Sequence, residues 1–182
     1  MINYVTFDFE TANKFSSSAC ALTVVEVKNH KIVKVHSWLI NPEHENIWKF
    51  TFLHGISKDI VKDAPVFPEI YQEVFDLLGG KVAFAHNVQF NKKVLNELCT
   101  HFGLVVPNNQ FNDTVSMARA KFPALQDYTL NTVSKFIKHD MSRHNLNSDA
   151  IAVHHIVEAK GQYRSEYFND EELQKLSNMM IY

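Results

Sequence analysis

The sequence predicts an α/β protein built on a mixed five-stranded sheet, opening as a three-strand antiparallel meander, with helices packed on both faces. Three observations predict it. Short β-rich runs crowd the first 40 residues, apolar residues recur at helical period from residue 69 onward, and the later strands alternate with those helices.

The first strand is read at 4–9 (YVTFDF), ending in acids and the polar segment TANKFSSS. Strand-like runs follow at 20–27 (CALTVVEV) and 32–40 (IVKVHSWLI), and Lys28-Asn29-His30 between them supplies turn chemistry. Residues 41–68 read as irregular, holding Pro42, Gly55, Pro65 and Pro68. From Glu69 to Leu78 apolar residues keep a helical period that Gly79-Gly80 closes. KVAFA (81–85) is a fourth strand, a helix runs from Val88 to Phe102 and stops at Gly103, and 109–112 adds a short fifth strand. Further helices are expected at 114–122, 129–138 and 148–163, with an amphipathic one at 170–180. No repeat, low-complexity tract or linker divides the chain, so 1–182 reads as one domain with a helical extension over 165–182.

Composition narrows the function. The 182 residues are 46% apolar and 21% charged, which suits a soluble globular protein without disulfide support. A net charge of −2 leaves no basic footprint for coating duplex nucleic acid, although an enzyme gripping one strand end through metal ions needs none. Cys20 and Cys99 lack CxxC or finger spacing, arguing against structural zinc and for a reducing, cytoplasmic setting. The acids in MINYVTFDFE argue against a signal peptide, and no apolar run is long enough to span a membrane.

Asp8 and Glu10 stand two apart at the end of the first strand, so both carboxylates project to one side. Set among aromatics, such a pair calls for positive compensation, and hard oxygen ligands favour Mg²⁺ or Mn²⁺ over zinc. Alone, this pattern could equally be a solvated strand edge. Near the C-terminus, His144-Asn145-Leu146-Asn147-Ser148-Asp149 opens a helix, with Ser148 or Asn147 as a plausible N-cap. That brings a third carboxylate, Asp149, close to a histidine able to titrate near neutral pH.

Together these residues carry a resemblance. FDFET (7–11), AHNVQFN (85–91) and H-x4-D (144–149) resemble, in order and spacing, the three motifs of the DEDDh 3′→5′ exonuclease superfamily. LHGIS (53–57) with VKDAPVF (61–67), and DTVSMAR (113–119) with LNTV (130–133), resemble two supporting stretches. The similarity is closest to the proofreading (epsilon) subunit of bacterial DNA polymerase III and its free-standing relatives, and runs over residues 3–160.

The resemblance implies a ribonuclease-H-like fold and a metal-dependent exonuclease releasing nucleoside 5′-monophosphates from single-stranded or frayed DNA 3′ ends. It implies two divalent cations, Mg²⁺ or Mn²⁺, about 4 Å apart. Asp8, Glu10 and Asp149 would hold the first, Asp8 and the amide oxygen of Asn91 the second, His144 would be the general base, and Phe9, Thr11, His54, Asn87 and Phe90 would line the pocket for the terminal nucleotide, with aromatic rings stacking on bases. Asn91 departs from the pattern, standing where the second motif has aspartate. Its amide brings no negative charge, so the second cation site is weakened and activity is lowered, shifted toward Mn²⁺ or lost. DNA is favoured over RNA only by the likeness to proofreading subunits, which also raises a DNA polymerase as a possible partner in replication or repair. The alternatives are an impaired homologue that binds nucleic-acid ends or a polymerase, and an RNA-directed exonuclease of the same superfamily.

Overall fold

The computed structural model describes residues 3–43, 48–141 and 145–160. Strands β1 (Asn3–Thr11), β2 (Ala19–Lys28), β3 (Lys31–Leu39), β4 (Val82–Ala85) and β5 (Gln110–Asp113) form one sheet in the order β3-β2-β1-β4-β5. The first three pair antiparallel, while β4 runs parallel to β1 and β5 parallel to β4. The five-stranded mixed sheet and its opening antiparallel meander match what the sequence predicts. Asn29 and His30, both at positive φ (50° and 64°), make the two-residue turn between β2 and β3, since a hairpin of this length needs left-handed backbone at both positions.

Seven α-helices occur among the described residues: α1 (Thr51–His54), α2 (Lys58–Val61), α3 (Phe67–Leu78), α4 (Val88–His101), α5 (Thr114–Lys121), α6 (Leu130–Phe136) and α7 (Ser148–Glu158). The region 41–68, expected to be irregular, contains α1 and α2 and the start of α3. Each of the two short helices is a single turn, too brief for apolar periodicity to register. α3 begins at Phe67 because Pro68 tolerates a first-turn position and the Glu69 carboxylate accepts the Val66 N–H at 2.9 Å. Helix α7 ends at Glu158 rather than 163. The expected helix at 170–180 lies outside the described residues.

The two faces of β1 follow from its period of two. Val5, Phe7 and Phe9 join Leu22, Val24 and the apolar stripes of α3 and α4 in the largest core cluster. The even positions turn to α7 and fasten it residue by residue. Thr6 Oγ1 donates to the Ala150 carbonyl at 2.6 Å, and Thr23 Oγ1 on β2 donates to the Leu146 carbonyl at 3.0 Å. Tyr4 donates its hydroxyl to Glu158 at 2.7 Å, which leaves its oxygen to accept from His154 Nδ1 at 2.8 Å. Buried Ala150 and Ala152 let the helix lie close to the strands.

Lys121, at the end of α5, is buried and donates to the carbonyls of Ile156, Val157 and Ala159 at 3.1, 2.7 and 2.9 Å. It terminates α7 as a cationic cap, and burial brings its pKa down to about 8 against the opposing pull of Glu158. Lys121→Met should cost about 2–4 kcal/mol in urea unfolding, because three carbonyls lose a charged donor. No described helix is long and apolar enough to cross a membrane. Cys20 and Cys99 are buried free thiols.

Candidate active site

Three elements converge at the C-terminal end of β1. β4 pairs with β1 only through Tyr4–Thr6, so beyond Thr6 no strand covers that edge of β1. Asp8 and Glu10 lie in this last stretch, before a register irregularity between Glu10 and Thr11. Asp149 enters from the first turn of α7, set in place by the Thr6–Ala150 and Thr23–Leu146 bonds. One carboxylate oxygen from each of Asp8, Glu10 and Asp149 lies within 4.8 Å of the others, with all three residues half-buried.

Such a cluster is electrostatically expensive. Burial above all, then Glu10 and Asp149, raises the Asp8 pKa well above the carboxylate range, opposed by a hydrogen bond from Asn91. Burial and then Asp149 bring Glu10 up to about 7, and burial raises Asp149. Among the described residues no lysine, arginine or histidine makes an ion pair with any of the three. Three oxygen donors converging without a counter-charge fit a hard divalent cation.

Asn91 is fully buried on α4 and reaches the same place. Its Oδ1 accepts the Phe9 N–H at 2.8 Å, and its Nδ2 donates to Asp8 Oδ1 at 3.1 Å and to the His86 carbonyl at 3.4 Å. The helix carrying it is held by Asp113, whose side chain accepts from Val88 N–H at 3.1 Å and from Ser116 N–H at 3.1 Å. One carboxylate therefore caps α4 and α5 together.

The residues expected to line the pocket divide. Phe90 and Asn87 are exposed, and Asn87 takes a left-handed conformation (φ 58°) at the head of α4. Phe9 does not offer its ring for stacking. Strand alternation turns it into the core, 2% exposed and edge-on to Phe7, so its contribution is the backbone N–H held by Asn91. Thr11 is also buried, and its carbonyl accepts from His54 Nε2 at 3.2 Å. His54 Nδ1 in turn accepts the Ile56 N–H at 3.1 Å, so this histidine ties the α1 turn to β1 with both nitrogens engaged. The same turn exposes Phe52 (75%) and Leu53 (60%), two apolar side chains the sequence reading did not single out. A pair of large apolar residues before a His-Gly turn was the available signal. His144 lies outside the described residues.

A mixed sheet whose central strand ends in a half-buried acidic pair, met by a third acid from a C-terminal helix, defines a class: phosphodiester-cleaving proteins of the ribonuclease-H-like fold. The chain belongs to the exonuclease family designated RNase_T, whose family model matches residues 5–157. It is 30% identical over 152 residues to the 3′-5′ exonuclease DinG of Bacillus subtilis, covering 81% of this chain and 16% of that protein. It is 29% identical over 144 residues to the PolC-type DNA polymerase III of Caldanaerobacter subterraneus, covering 78% of this chain and 10% of that one. The chain thus spans a tenth to a sixth of these relatives.

Among solved structures, exonuclease X in complex with 5′-overhanging duplex DNA superposes with a TM-score of 0.68 at 19% identity, over 97% of this chain and 99% of that one. A product-bound exonuclease I gives a TM-score of 0.78 at 10% identity, over 98% of this chain and 46% of that one. At such identities the likeness establishes the fold.

Proposed function

We propose that this chain is a metal-dependent 3′→5′ exonuclease that releases nucleoside 5′-monophosphates from single-stranded or frayed DNA ends, at a rate lowered by Asn91. The observation that carries the proposal is the convergence of Asp8, Glu10 and Asp149 within 4.8 Å, unneutralised among the described residues. Asp8, Glu10 and Asp149 would hold Mg²⁺ or Mn²⁺. When bound, such cations supply charge stabilisation at the scissile phosphate and a water easier to deprotonate.

The remaining roles fall to the chain's own side chains. His144, five residues before Asp149, would take a proton from the attacking water. Phe90, Phe52 and Leu53 are exposed next to residues that contact the acidic end of β1, and offer apolar surface to whichever base occupies the terminus. Asn87 would contact the terminal nucleotide, while Thr11 and His54 would shape its pocket through their mutual hydrogen bond. Lys92 packs over the Phe111 ring at 5.5 Å and Lys93 pairs with Glu97 at 3.6 Å, so neither dominates a phosphate track. DNA is preferred as substrate because the relatives include a DNA polymerase and the fold neighbours include a protein bound to DNA. A polymerase partner and a cytoplasmic location are carried over on the same likeness.

Asn91→Asp should speed removal of a 3′-labelled nucleotide from single-stranded DNA in Mg²⁺ by at least about tenfold, a barrier change of about 1.4 kcal/mol. A variant no faster than the wild type would mean that Asn91 does not limit the rate. An end-binding module without activity is the second reading, favoured by the amide group that Asn91 turns on Asp8. It predicts tight binding of the strand with no product from either protein.

A further inference from the structure

The orientation of Asn91 is fixed by its neighbours. Its oxygen faces a backbone N–H, that of Phe9, and its amino group faces a carbonyl, that of His86. Exchanging oxygen and nitrogen would set N–H against N–H and oxygen against oxygen in a fully buried position, so this orientation is the one that satisfies both neighbours. The group presented to Asp8 is therefore the amino group, 3.1 Å from Asp8 Oδ1. An aspartate in the same place could keep the Phe9 bond with one oxygen. Its other oxygen would meet Asp8 Oδ1 and the His86 carbonyl with no hydrogen of its own to offer, an arrangement that needs a shared proton or a cation to bridge it.

We propose that Asn91 is a positioning residue whose amide hydrogen bond to Asp8 takes the place of a second cation, so that the site of Asp8, Glu10 and Asp149 binds a single divalent ion. This rests on the metal-dependent reading above and changes its content. Asn91 is not a poor ligand at a second site; it is a donor that holds Asp8 in position for the one ion. The acidic end of β1 is thereby partly compensated by a neutral group, fixed in turn by the Phe9 N–H and by the α4 cap from Asp113.

The test is Mn²⁺ binding to the full chain, read by calorimetric stoichiometry and by electron paramagnetic resonance of free Mn²⁺, with thermal unfolding in EDTA alongside. The wild type should bind one equivalent. Asn91→Asp should bind two, melt lower than wild type in EDTA, and gain more from Mn²⁺. Asn91→Ala should still bind one equivalent, but about tenfold more weakly, as expected when an outer partner of a metal ligand is removed. Two equivalents on the wild type, one on Asn91→Asp, or unchanged affinity in Asn91→Ala would each overturn the inference while leaving the exonuclease reading intact. No binding by any form would overturn both. Should Asn91→Asp fail to fold even with Mn²⁺, the Asn91→Ala affinity decides.

Discussion

Asp8→Asn is expected to reduce nucleotide release by on the order of 10³-fold or more and at the same time to make the cation-free protein more stable. Both effects come from one cause. Asp8 is the carboxylate common to the acidic cluster and the Asn91 bond, and its pKa is raised by burial, Glu10 and Asp149. Replacing it with a neutral side chain of the same shape removes, at any pH where Asp8 is ionised, one of three mutually repelling charges, while its oxygen can still accept from Asn91. If relief of that repulsion contributes about 1 kcal/mol, the melting temperature should rise by roughly 2–4 °C for a chain of this size. Calorimetry in EDTA together with a nuclease assay checks both halves. A variant that loses activity and also melts lower would mean that Asp8 is structurally required and not merely strained.

The second large effect is stabilisation by cation. With Mn²⁺ at one hundred times its dissociation constant, the wild type should gain about 2.7 kcal/mol, or roughly 5–10 °C, and the gain should grow with pH. The sign follows from the raised carboxylates. A group whose folded pKa lies above its unfolded value contributes stability that is complete below the unfolded value and is lost as pH rises through the folded one. Glu10, brought up to about 7 by burial and Asp149, thus places the loss between about pH 4.5 and 7. Above that window Glu10 is charged and the ion gives more; below it, protons compete with the ion. Differential scanning fluorimetry from pH 5.5 to 8 should therefore show a shift that widens with pH, and Asp8→Asn should lose most of it. A pH-independent shift would place Mn²⁺ elsewhere.

Much of this was legible in the sequence because it depends on local pattern. The alternation YVTFDFE fixes which face of β1 carries Asp8 and Glu10, and that face is the one α7 covers. The same alternation should have removed Phe9 from the stacking residues, since a side chain between Asp8 and Glu10 must point away from them. What could not be read is tertiary. The bond from Thr6 to Ala150 joins residues 144 positions apart, and the bond from Phe9 to Asn91 joins residues 82 apart. Whether an asparagine turns its oxygen or its amino group to a neighbour depends on such distant partners. Asp113 shows the same limit. Its cap on α5 is local and follows from the sequence, whereas its cap on α4 exists only because β5 ends beside β4.

The central claim is that the acidic end of β1 removes nucleotides from a 3′ end. A single-stranded DNA oligonucleotide carrying different labels at its 3′ and 5′ termini, incubated with the wild type and with Asp8→Asn in Mn²⁺, tests it directly. The expected result is early release of the 3′ label as a mononucleotide, a descending ladder that retains the 5′ label, and neither with Asp8→Asn. Loss of the 5′ label first, internal cuts, or an intact strand at all Mn²⁺ concentrations would contradict it.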